Sequence, residues 1–138
     1  MTTEPTAAEA LIALALAARD NAYAPYSKFK VGCALTTEDG TTFTGANVEN
    51  ASYGLCACAE RNAIAAAVCA GHREITAIAI ATQSSPPAAP CGMCRQTINE
   101  FVSEPGKLSV VLVNPSGERR DIGFAELFPH GFRGTDIV

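Results

Sequence analysis

Apolar and polar positions along this chain follow a helical period in some stretches and strict alternation in others, and the changes of period mark its elements. Leu11, Ile12, Leu14 and Leu16 give the first stretch one apolar helical face. Thr6-Ala7-Ala8-Glu9 reads as a capping box opening this helix, which is expected to run to about Asn21 with Arg19 and Asp20 at its close. Pro25 ends any further helix. Lys30 to Thr36 reads as a strand, Asp39-Gly40 as a hairpin turn, and Thr42 to Gly45 as the start of the return strand. A second helix begins near Cys58, carries Ile64 and an alanine-rich stretch to Cys69, and stops at Gly71. Glu74 to Ala81 alternates and is rich in isoleucine, so it is a strand. Ser84 to Pro90 is a proline-rich loop. A third helix starts at Cys91 and continues through Ile98 and Phe101. Ser109 to Val113 is a strand, Asn114 to Gly117 a turn, and Glu118 to Ile122 an edge strand. Phe124 to Phe128 is a short helix, and an irregular tail follows.

The order α-β-β-α-β-α-β-β-α fits an α/β fold in which one mixed sheet is sandwiched by helices. No internal repeat or linker interrupts it, and 138 residues suit one domain spanning 1–138.

Charge narrows the partners. Asp and Glu number 14 against 10 Lys and Arg, for a net charge of −4, and the nearest approach to a basic run is Arg119-Arg120. A nucleic-acid polymer needs cations to displace its counterions, so no such partner is expected. The apolar run Ala10 to Ala18 follows Glu4 and Glu9, has no Lys or Arg before it, and is too short to span a bilayer. A buried helix in a cytoplasmic protein with no membrane partner is the expectation. The six cysteines at 33, 56, 58, 69, 91 and 94 are then reduced thiols.

Candidate chemistry lies in Cys58-Ala59-Glu60 and Pro90-Cys91-Gly92-Met93-Cys94. Cys91-x-x-Cys94 alone also fits a redox pair, and Cys58-x-Glu60 alone says little. Together they supply three thiolate ligands for one zinc ion per chain and a carboxylate that is not a ligand. Three protein ligands leave a tetrahedral position open, as catalytic zinc requires; a water there becomes nucleophilic near neutral pH, and Glu60 can move its protons. All three cysteines fall at helix starts, where the dipole and free amides favour thiolate. Arg61 can offset the remaining negative charge by donating to a ligand sulfur; on position alone it could also be a surface arginine. Cys33, Cys56 and Cys69 read as core residues, with Cys56 a rival ligand by proximity. His72 and His130 flank glycines and read as surface.

These residues resemble those of the small homotetrameric cytidine deaminases; the spacing is close to that of zinc deaminases generally, which carry His or Cys in the first place. The resemblance runs through Tyr23-Ala24-Pro25-Tyr26-Ser27-Lys28-Phe29, Val31 to Leu35, Asn47-Val48-Glu49-Asn50, Cys58 to Arg61, Pro90 to Gln96, and Glu126-Leu127-Phe128-Pro129 with Phe132. It implies a three-layer α-β-α sandwich around a five-stranded sheet. It implies hydrolytic deamination of cytidine and 2′-deoxycytidine in pyrimidine salvage, by attack of zinc-activated water on C4 with Glu60 as proton shuttle. It assigns the ribose to Asn47 and Glu49, the pyrimidine face to Phe29, and the base carbonyl to the amide of Ala59. It has Tyr53 and Phe132 brought to the site by a neighbouring subunit of a homotetramer. Blasticidin S deaminases share the zinc motifs, but Asn47-Val48-Glu49 favours cytidine. A zinc-stabilised binding domain is the non-enzyme alternative, and Glu60 argues against it.

Overall fold

The computed structural model describes residues 4–137; residues 1–3 and 138 lie outside the described part of the chain. Helix α1 spans Ala7–Arg19, strand β1 Gly32–Thr37 and β2 Thr42–Ala46. Helix α2 spans Ala59–Cys69, β3 Ile75–Ala81, α3 Gly92–Glu100, β4 Ser109–Val113, β5 Arg119–Gly123 and α4 Phe124–Leu127. Single turns of 3₁₀ helix at Tyr53–Leu55, Pro105–Lys107 and Gly134–Asp136 join them. The element order is the expected one. The first helix stops at Arg19 instead of Asn21, and β1 begins at Gly32 instead of Lys30.

The strands form one mixed sheet in the order β2-β1-β3-β4-β5. β3 and β4 are parallel and the other pairs antiparallel. The β1–β2 hairpin turns where expected: Gly40, at φ +85°, donates its amide to the Thr37 carbonyl over 2.9 Å. Gly71, at φ +97°, ends α2 in the left-handed conformation that favours glycine.

Side chains alternate across the sheet and so build two cores. Cys33, Leu35, Ile78, Ile80, Val110 and Leu112 face one way, against Ala63, Ile64 and Ala67 of α2, Ile98 of α3 and Phe124 of α4. Ala34, Ala79, Ala81, Val111 and Val113 face the other way, against Leu11 and Ala15 of α1. Three layers result. The small residues on the second face let α1 lie close. Ile12 and Leu16 are partly buried there, whereas Leu14 faces solvent, since it lies beyond the buried stripe of Leu11 and Ala15. At the opening of α1, Thr6 Oγ1 accepts from the Glu9 amide over 3.1 Å.

Three readings of single residues need correction. Cys69 is exposed and Cys56 only half-buried, so of the three presumed core cysteines Cys33 alone is buried. Cys69 ends α2 on the side opposite Ala63, Ile64 and Ala67. His72 is not a free surface residue. Its side chain is 17% exposed, its Nδ1 lies 3.1 Å from Thr37 Oγ1, and its ring packs beside Phe43. His130 is exposed, as expected, at φ +57°.

Candidate active site

The two helices that carry the cysteine motifs share one face of the sheet, and their starts meet. Cys58 and Cys91 are the N-cap residues of α2 and α3, both extended, and Cys94 is the third residue of α3. The cap carbonyls take the first helical bonds: Asn62 donates to Cys58 over 3.1 Å and Arg95 to Cys91 over 2.9 Å. The side chains are thereby left to face one another.

The sulfurs of Cys58, Cys91 and Cys94 lie within 4.8 Å of one another, and no other such cluster of three occurs among the described residues. Cys58 Sγ and Cys91 Sγ are 3.9 Å apart. A disulfide needs about 2.05 Å. A tetrahedral zinc with Zn–S bonds of about 2.3 Å separates its sulfurs by about 3.8 Å. The donor set therefore fits zinc and leaves one side open.

Electrostatics support the same use. The Cys94 thiol, then Arg61 and Cys91, hydrogen-bond to Cys58 and hold its pKa down to about 5. Cys94 is pushed up by its bond to Cys58 and by burial, so in the metal-free pair Cys58 is the thiolate and Cys94 keeps the proton. Metal binding releases that proton. Arg61 donates from one guanidinium nitrogen to Cys58 Sγ over 3.6 Å and to the Cys56 carbonyl over 3.1 Å. Its Nε is buried without a hydrogen-bond partner among the described residues. Cys56 lies outside the cluster; its sulfur accepts from the Asn50 amide over 3.3 Å. Burial, and then the charge of Glu60, push the Cys33 thiol well above its ordinary range, so it stays protonated in the core.

Glu60 is buried, 4% exposed, in the first turn of α2. Burial first, then the negative charge at Cys58, raise its carboxyl above the usual carboxylate range.

A cavity of about 280 Å³ opens onto this cluster. Its wall brings together Cys58, Ala59, Glu60 and Cys91 with Phe29, Asn47 and Glu49. The Ala59 amide is the first of α2 and has no intrahelical acceptor. Asn47 follows β2 and clamps the Phe29–Val31 segment: Oδ1 accepts from the Val31 amide and Nδ2 donates to the Phe29 carbonyl, each over 2.8 Å. That network fixes the orientation of the amide and leaves it one N–H and one lone pair.

Sequence reading missed Ser27, Val31, Ile80, Thr82, Ala88 and Ala89 on the cavity wall. Ile80 and Thr82 stand at the carboxyl end of β3, where open α/β sheets form their crevices; that signal could have found them. Thr82 Oγ1 accepts from the Ala88 amide over 3.1 Å and secures the proline-rich loop.

Tyr53 and Phe132 do not line this cavity in their own chain and are 72% and 57% exposed. The tail, irregular as expected, is nevertheless tied to its own chain. The Phe132 carbonyl accepts from Gln96 Nε2 over 2.9 Å and from Asn99 Nδ2 over 3.0 Å, so its backbone is held while its ring faces outward.

Comparison with known proteins gives the same answer. The sequence profile described as cytidine and deoxycytidylate deaminase zinc-binding region matches residues 5–111. The chain belongs to this family. It is 45% identical to a cytidine deaminase of Halalkalibacterium halodurans over 92% of this chain and 95% of that one. The crystal structure of cytidine deaminase from Burkholderia pseudomallei matches with a TM-score of 0.83 at 53% identity, covering 89% of this chain and 97% of that chain. That of cytidine deaminase from Mycobacterium tuberculosis matches with a TM-score of 0.79 at 34% identity, covering 93% and 98%. The five-stranded α/β sandwich is thus the fold of this family, and zinc is the metal that its matched region and the three thiols imply. Among the described residues no helix is long and apolar enough to cross a membrane.

Proposed function

We propose that this chain hydrolytically deaminates cytidine and 2′-deoxycytidine to uridine and 2′-deoxyuridine, as one catalytic domain over residues 1–138 serving pyrimidine salvage in the cytoplasm. One observation carries the reading: a buried carboxyl and an open-sided thiol cluster share a cavity with an amide, a carboxylate and an aromatic ring. That combination suits a polar heterocycle joined to a sugar.

The reaction adds the oxygen of water to C4 of the pyrimidine and releases ammonia. Water gives up two protons, one to the ring nitrogen N3 and one to the departing amine. When bound by Cys58, Cys91 and Cys94, zinc supplies a Lewis acid that makes water nucleophilic near neutral pH. Glu60 is the group that carries the protons. Its raised carboxyl binds a proton more readily than an exposed glutamate and releases it within the same site. Arg61 draws negative charge from Cys58. The free amide of Ala59 donates to the base carbonyl, and Phe29 packs on the ring. Asn47 and Glu49 hold a ribose hydroxyl, which donates and accepts at once.

The site is completed by a second copy in a homotetramer. Tyr53 and Phe132 are exposed aromatics off their own cavity, and exposed Tyr23, Tyr26, Val48 and Leu55 leave apolar surface for a copy to cover.

Zinc-loaded protein mixed in parallel with cytidine, cytosine, CMP and blasticidin S, followed by ultraviolet absorbance, tests this. Rapid turnover of cytidine alone is expected. Equal turnover of CMP overturns the nucleoside reading, and turnover of blasticidin S alone selects the antibiotic deaminase. No turnover of any, with zinc retained, leaves a binding domain.

A further inference from the structure

We propose that Ser27 is a positioning residue that fixes both the ribose wall and the base wall of the cavity and thereby sets the preference for a nucleoside over a free base. The inference rests on the roles proposed for Glu49 and Phe29. It concerns a residue that the chemistry of the metal motif does not touch.

Ser27 lies on the cavity wall between those two residues. Its hydroxyl donates to Glu49 Oε2 and accepts from the Phe29 amide over 3.0 Å. Its own amide donates to Glu49 Oε1 over 3.1 Å, and the Tyr26 amide donates to the same oxygen over 2.9 Å. Because the hydroxyl is engaged as an acceptor by Phe29, its single proton is directed to Glu49. An ionised carboxylate offers about four acceptor positions. The Tyr26–Ser27 segment fills three, which leaves one, in a fixed direction, for an incoming hydroxyl. Ser27 thus helps to determine where Glu49 can accept.

The same hydroxyl spans a constrained turn. Lys28, between Ser27 and Phe29, sits at φ +61°, a region that a lysine seldom occupies. The turn closes through the Lys28 amide on the Ala24 carbonyl, 3.0 Å, and through the Ser27 hydroxyl on Phe29. Loss of the hydroxyl therefore removes one tie from the Phe29 backbone and one of three donors from the carboxylate.

The charge of Glu49 supplies a readout that a purely structural serine would not move. Hydrogen bonds from the Ser27 side chain, then from the Ser27 and Tyr26 amides, hold the Glu49 carboxyl below its usual range, with Lys28 the charged group that faces it. Glu60, Cys58 and Cys91 are the titratable side chains that share the cavity with it, and Tyr26, Tyr53 and Cys56 those that share the hollow on its other side. A depressed carboxyl stays ionised as pH falls. Without the Ser27 hydroxyl it protonates at higher pH, and affinity for the ribose is lost earlier on acidification.

The test measures kcat and KM of the zinc-loaded enzyme for cytidine, and kcat/KM for cytosine, across the acid range in Ser27→Ala, Ser27→Thr and Glu49→Ala. Ser27→Ala is expected to raise the cytidine KM roughly 10-fold or more with kcat little changed, as for loss of a hydrogen bond to a charged group. It should also narrow the cytidine–cytosine gap and shift the acid limb of the KM profile to higher pH, while Ser27→Thr restores all three. An unchanged KM overturns the inference. So does a joint fall of kcat and melting temperature with the acid limb unmoved, which would make Ser27 a fold residue only. If Glu49→Ala narrows the gap and Ser27→Ala does not, Ser27 alone is misassigned. If Glu49→Ala leaves the gap intact, the ribose reading fails and this one with it.

Discussion

A Cβ on Gly45 of β2 would stand 2.5 Å from the amide nitrogen of Ala63 in α2, so these two residues meet backbone to backbone. The Ala59 carbonyl lies equally close to the same point. The alanines at 59, 63 and 67 form the buried edge that lets α2 settle on the strand. This contact has a consequence for the site. Cys58 and Glu60 hang on the first turn of α2, while Asn47 and Glu49 follow β2. A further tie, Asn62 Nδ2 to the Ala46 carbonyl at 2.8 Å, fixes the same spacing.

Gly45→Ala should therefore destabilise the protein by about 1–3 kcal/mol, as overpacking does, and lower the melting temperature by roughly 3–12 °C. Among the described residues a Cβ on Gly123 meets nothing within 4 Å, so Gly123→Ala should change little. Equal melting temperatures for the two variants would contradict the close approach.

Metal content tests the thiol cluster. Cys91→Ala should bind little zinc and unfold more easily, because metal binding is coupled to folding. Cys56→Ser should keep a full zinc complement, since its sulfur stands outside the cluster. Metal analysis of the purified variants decides, and zinc lost from Cys56→Ser would mean the ligand set is wrong.

Glu60→Gln should retain fold and zinc and lose turnover. An amide matches the shape of the carboxyl but cannot hold and pass a proton, and one acid–base step is worth about 10²–10⁴ in rate. A cytidine rate near that of the parent enzyme would assign the proton transfers to another group.

The metal motif was legible because its chemistry is local: Cys58 and Glu60 are two residues apart and Cys91 and Cys94 three, each pair at one helix start. The element order was legible for the same reason, from period and turn residues. What remained hidden depends on partners distant in sequence. Ser27, one residue of the Tyr23 to Phe29 stretch, has no visible role until Glu49, 22 positions away, meets it. His72 reads as a loop residue after Gly71 until Thr37, 35 positions away, lies against it. Cys69 is a different case. The period of α2 already turns it away from Ala63 and Ala67, and only the habit of counting cysteine as core hid that.

The tail offers the last prediction. Asn99 is buried, 3% exposed, and uses its amide on the Phe132 carbonyl, with Gln96 as the second donor. Gly131 leaves no room for a side chain there, since a Cβ would lie 2.6 Å from the Phe128 ring. The backbone is clamped and the Phe132 ring is exposed. Asn99→Leu keeps the volume but removes one of two donors from a held carbonyl, a cost of about 1–3 kcal/mol. It should speed proteolysis of the segment after Pro129 and raise the nucleoside KM, as Phe132→Ala should, with zinc content unchanged in both. A released tail with an unchanged KM would separate the clamp from catalysis. A fully active monomer in sedimentation at assay concentration would refute the shared site itself, whatever either variant does.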